Sequence, residues 1–112
     1  MKILFDNGVP NTLAVCLRGH QITCARKVGW HELGNGDLIQ RAELTGYEAF
    51  LSTDKNFRYQ QKVTRGKISV VILDNSRWPV LRLYLDRIAA AMNACTPGSY
   101  AEVKIPFKYL KR

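Results

Sequence analysis

The sequence predicts an α/β fold: three layers, α/β/α, around a central, mostly parallel, five-stranded sheet. Three observations carry this expectation. Short apolar runs of strand length recur along the chain, and stretches with helical spacing of apolar residues fall between them. Such alternation implies βαβ units. The run Ser69-Val70-Val71-Ile72-Leu73 is continuous and β-branched, as in strands covered on both faces of a parallel sheet. The chain has 112 residues, 46% of them hydrophobic, which suits one domain over 1–112 and argues against disorder.

The elements follow in order. Residues 2–5 read as a short buried strand, and Gly8 and Pro10 punctuate a turn. Pro10 or Asn11 can start a helix, since proline is tolerated in the first helical turn. Leu13, Cys16 and Leu17 then share a face, and Gly19 fits a helix stop. Residues 21–25 read as the second strand. Residues 26–36 form a loop with Gly29, Gly34 and Gly36, carrying Trp30, His31 and Glu32. Asp37 begins a helix over 37–45 with Leu38, Ile39 and Ala42 on one face, and Gly46 ends it. Residues 49–53 are the third strand. The stretch 54–67 is polar and basic and is expected to hold a short helix. Residues 69–73 form the fourth strand, and Asp74-Asn75-Ser76 turns the chain. Pro79 starts a helix in which Leu81, Tyr84, Leu85, Ile88 and Met92 fall at helical spacing. A turn over 96–99 leads to an edge strand over 100–105, where Ala101, Val103 and Ile105 alternate with Glu102 and Lys104. The tail 106–112 is basic and aromatic. Right-handed crossovers would place helices on both faces.

The net charge is +8, from 17 Lys+Arg against 9 Asp+Glu. This balance fits an anionic partner: nucleic acid, an acidic protein or, less in keeping with the chain, a membrane surface. Three cysteines, Cys16, Cys24 and Cys95, show no CxxC or Cys/His ligand spacing. They read as structural thiols in a reducing compartment. The start of the chain lacks the long apolar stretch of a signal peptide, and no run is long enough to span a bilayer. A cytoplasmic protein with no membrane partner is expected.

Function is read from the aspartates. Asp6 follows the first strand, Asp54 the third, and Asp37 opens the helix between them. Carboxyl ends of strands form the rim where open α/β sheets place ligands. Convergent carboxylates in a basic chain suit Mg²⁺ or Mn²⁺ and a phosphate-bearing substrate. Asp74 closes the fourth strand in the same manner. Aspartate also favours helix caps and turns, which is the competing explanation for all four. Beside Asp54 lies a basic run, Lys55, Arg58, Lys62, Arg65 and Lys67, interleaved with Phe57 and Tyr59. It suits backbone phosphates and base stacking. Lys104, Lys108, Lys111 and Arg112 could extend that surface. His20 and His31 give little, and there is no nucleophile elbow or glycine-rich phosphate loop.

Three segments resemble small bacterial PIN-like proteins. Met1-Lys2-Ile3-Leu4-Phe5-Asp6-Asn7-Gly8-Val9-Pro10 is similar to their "ILLDENLP" opening. Gly36-Asp37-Leu38-Ile39-Gln40-Arg41-Ala42 looks like their "SDEEIL..A" helix start, and Ser52-Thr53-Asp54-Lys55-Asn56-Phe57 like their "TRDKDF" motif. The likeness covers roughly residues 1–75. It implies a Mg²⁺/Mn²⁺-dependent endoribonuclease with Asp6, Asp37 and Asp54 as catalytic metal carboxylates. RNA would be the substrate. An acidic antitoxin protein is a partner of many members, and a homodimer is left open. Asn7 and Asn56 stand where the pattern has acids; each keeps an oxygen ligand but removes a charge. A catalytically weakened module that binds RNA or a protein through its basic face is therefore the alternative. A phosphoacceptor signalling domain, with Asp54 as acceptor, is a third reading on fold-level analogy.

Overall fold

The computed structural model describes residues 1–55 and 67–106. Arg58, Lys62, Arg65, Asn56 and the expected helix of 54–67 fall largely or wholly outside them, as does the tail from 107 onward.

Five strands form one sheet: β1 Lys2–Phe5, β2 Gln21–Cys24, β3 Ala49–Ser52, β4 Ser69–Leu73 and β5 Tyr100–Val103. Their order is β2-β1-β3-β4-β5, and every pairing is parallel. The burial of each strand follows from its residues. β3 and β4 are buried at every position, as continuous apolar runs require when both faces are covered. β2 and β5 lie at the edges and keep exposed or half-buried positions. On β5 the expected alternation holds only in part. Val103 and Ile105 are buried, but Ala101 is exposed.

The helical segments differ from expectation in kind and extent. Residues Asn11–Cys16 form a 3₁₀ helix rather than an α-helix. Six residues offer too few i→i−4 bonds to offset helix nucleation, and 3₁₀ turns serve as short connectors. A second 3₁₀ turn, Ala25–Val28, occupies the start of the expected loop and ends at Gly29 in the left-handed region (φ 79). Helix α1 runs Asn35–Thr45, two residues longer at its start than the spacing predicts, because the backbone amide of Leu38 already donates to the Gly34 carbonyl at 2.8 Å. It stops at Gly46, as expected. The region after Pro79 is not one helix but α2 (Trp78–Leu81), a 3₁₀ turn (Arg82–Tyr84) and α3 (Leu85–Asn93). Tyr84 leaves helical geometry while its hydroxyl donates to the Pro106 carbonyl at 2.9 Å.

Helices cover both faces. Phe5, Leu51 and Leu73 point to one side, against Leu13 and Leu17 and against Val80, Leu81, Ile88 and Met92. Leu4, Phe50 and Ile72 point to the other, against Leu38, Ile39 and Ala42 of α1. One consequence departs from the sequence expectation. The β1–β2 and β4–β5 connections cross the same face but step in opposite directions across the sheet. Two such crossovers must have opposite hands. The β2–β3 connection steps like β4–β5 but over the other face, so it shares the hand of β1–β2. The β4–β5 unit is the odd one, against the usual uniform right-handedness.

Candidate active site at the carboxyl edge of the sheet

The strand order reverses between β1 and β3. The chain leaves β1 toward β2 on one side and leaves β3 toward β4 on the other. In open α/β sheets the crevice at such a reversal, outside the carboxyl ends, is where ligands bind. Asp6 and Asp54 both emerge there.

Buried Ser52, the last residue of β3, joins them. Its hydroxyl donates to Asp6 Oδ2 at 2.7 Å and accepts from the Asp54 backbone N–H at 3.0 Å. The other carboxylate oxygen of Asp6, Oδ1, accepts the backbone N–H of Asn7 at 2.8 Å, and the Asp6 N–H donates to the Leu51 carbonyl at 2.9 Å. Asp6 is thus held at one orientation while each oxygen retains a lone pair for another partner. The loop after β1 presses against the loop after β3 at Gly8, where a Cβ would stand 2.6 Å from Thr53 Oγ1. Asn7 reaches outward: its Nδ2 donates to the His31 carbonyl at 2.8 Å, tying this edge to the loop before α1.

The other predicted residues are placed differently. Asp37 lies in the first turn of α1 and is exposed; there a carboxylate is favoured by the helix dipole alone. Asp74 is committed to the sheet, since its Oδ1 accepts the Ile105 N–H at 2.6 Å. Lys55 and Lys67 are exposed, but only Lys55 is at this edge; Lys67 precedes the amino end of β4. His31 contributes its backbone carbonyl. His20 is paired through Nε2 with Asn93 Oδ1 at 2.8 Å.

Among the described residues, no three His, Cys, Asp or Glu side chains gather closely enough to hold a metal ion. The donor set at Asp6, Ser52 and Asp54 is nonetheless all oxygen. Mg²⁺ commonly takes one or two carboxylates and completes its shell with water and substrate phosphate. The chemistry of these side chains therefore fits such an ion through Asp6 and Asp54.

Sequence reasoning missed Ser52, Gly8, Arg26 and Lys27. The signal for Ser52 was slight: a hydroxyl ending an otherwise apolar strand just before an aspartate. Arg26 and Lys27 sit on the 3₁₀ turn after β2 and rim a small cleft beside Asp6. Comparisons with known protein families, curated proteins and solved structures found no match. No helix among the described residues is long and apolar enough to cross a membrane.

Proposed function

We propose that this chain is a Mg²⁺- or Mn²⁺-dependent endoribonuclease of PIN-like type, with the toxin of a toxin–antitoxin pair as its biological setting. The observation that supports it most is the Asp6–Ser52–Asp54 linkage at the point where the strand order reverses. Asp6 and Asp54 would hold the ion, Ser52 would fix the Asp6 carboxylate against rotation, and nearby cations would orient the RNA backbone. A divalent ion bound there would supply an activated water and neutralise charge on the phosphate. Asp37 would join from α1 on the PIN-like resemblance.

The test is cleavage of RNA by the purified chain with Mg²⁺ or Mn²⁺. Asp6→Asn and Asp54→Asn are expected to abolish it. Full activity in the double variant, or with the metal chelated, overturns the proposal.

The second reading, RNA binding without cleavage, is favoured by Asn7. Its amide is spent on the His31 carbonyl, where a carboxylate could not donate. That reading expects salt-sensitive RNA binding, lost when Arg58, Lys62 and Arg65 are changed to Glu, with no cleavage. The phosphoacceptor reading shares the strand order with known doubly wound domains, but only one acid stands after β1; labelling by a small phosphodonor is its test.

A further inference from the structure

Beside the Asp6 carboxylate, on the β2 side, lies a cleft of about 80 Å³ walled by Asp6, Asn7, Asn11, Cys24, Arg26 and Lys27. It is far smaller than the roughly 300–1,000 Å³ of pockets that enclose a whole small molecule. It therefore suits one compact group of a larger ligand. Its walls are fixed by short contacts. The Cys24 thiol donates to Asn11 Oδ1 at 2.9 Å. The turn bearing the two cations is closed by Trp30 N–H to the Ala25 carbonyl at 2.9 Å and Gly29 N–H to the Arg26 carbonyl at 3.2 Å. Arg26 and Lys27 are exposed, and neither is paired with a carboxylate among the described residues.

The opposite flank of the same edge differs in charge. There, among the described residues, a cleft is lined by Lys55, Lys104, Asp74 and Glu102, two cations against two carboxylates, so these four charges cancel. On the β2 flank two cations face one carboxylate, and that carboxylate is the one assigned to the metal. An anion approaching Asp6 is attracted from the β2 side.

We propose that this cleft is a phosphate subsite: Arg26 and Lys27 bind a backbone phosphate of single-stranded RNA next to the one held at Asp6. The inference rests on the proposed function for its substrate, and it adds the direction in which the strand runs, across the ends of β1 and β2. Arg26 and Lys27 are binding residues and take no part in bond breaking.

The experiment measures affinity of the full chain for a labelled single-stranded RNA over a range of salt, together with cleavage kinetics. Neutralising one phosphate contact changes the log–log salt slope by about 0.7 on single strands. The double variant Arg26→Ala, Lys27→Ala is expected to flatten the slope by about 0.7, the loss of that one phosphate, and to raise KM with kcat kept, as loss of uniform binding does. The charge-keeping swap Arg26→Lys, Lys27→Arg should retain the slope. Arg18→Ala, a cation before the amino end of β2, should leave it unchanged. If the wild type cleaves RNA and the double variant keeps both slope and KM, the subsite is overturned and the nuclease stands. If the wild type binds but never cleaves, and the double variant loses the slope, the subsite stands and the nuclease falls. A slope loss of equal size in Arg18→Ala, or no salt-dependent RNA binding by the wild type, overturns the subsite.

Discussion

Ser52 is fully buried yet polar, and its burial is tolerable because its hydroxyl both donates and accepts. Removing it strands two partners in a part-buried place. Ser52→Ala is expected to cost about 1–3 kcal/mol, the usual penalty for an unsatisfied buried group, and to lower any cleavage by freeing Asp6; thermal melting and an activity assay read the two effects. Gly8→Ala would drive a methyl into Thr53 Oγ1, a short and stiff side chain. The expected cost is about 1–3 kcal/mol, as for overpacking generally, seen as a lower melting temperature. Asn7→Asp would add a second acid after β1. It should raise divalent-ion affinity in a titration while destabilising the loop by about 1 kcal/mol through the lost hydrogen bond to His31. At this scale Asp6 and Asp54 were legible because each follows an apolar run. Ser52 was not, since its carboxylate partner lies 46 positions away.

The strands were the most legible elements, because composition alone marks a run covered on both faces. Helix boundaries were less so. The apolar spacing through Leu81, Tyr84, Leu85, Ile88 and Met92 is indifferent to a break at Tyr84, which a contact with Pro106 sustains. Asp37 moved from helix start to first turn because Gly34 supplied the earlier cap. Asp74 shows how a carboxylate can serve an element instead of a ligand. Its N–H donates to the Val103 carbonyl and its Oδ1 accepts from Ile105, so it extends the β4–β5 ladder past its last residue. Asp74→Ala should loosen that strand end, costing about 1–3 kcal/mol for the stranded amide. Hydrogen exchange at Ile105 would quicken; unchanged exchange there would refute the role.

Among the described residues, the core divides into two apolar layers on opposite faces of the sheet. Cys95 lies at the amino edge, remote from the candidate site, where burial raises its thiol pKa above the ordinary 9.0 despite opposing hydrogen bonds from Ser69 and Ser99. The folded state then keeps this proton when the unfolded state has begun to lose it. Stability from this group is complete below the unfolded value and is lost as pH rises through the folded one. Alkaline melting should therefore show a loss that Cys95→Ser reduces, and thiol-reactive probes should label Cys95 more slowly than an unfolded control. The net charge of +8 makes binding of any polyanion salt-dependent, whichever functional reading holds.

The sequence by itself determined the α/β class, the five strands and the carboxylates beside β1, β3 and β4, because apolar runs and the turn chemistry after them are local properties. Only the tertiary structure decided that Ser52 links the Asp6 carboxylate to the Asp54 backbone N–H. Sheet order brought β1 beside β3, burial then forced Ser52 to satisfy its hydroxyl on Asp6, and the same order set Asp74 against β5 instead. It also gathered Arg26 and Lys27 at the flank of Asp6, a juxtaposition of charges far apart in the chain that no local pattern carries.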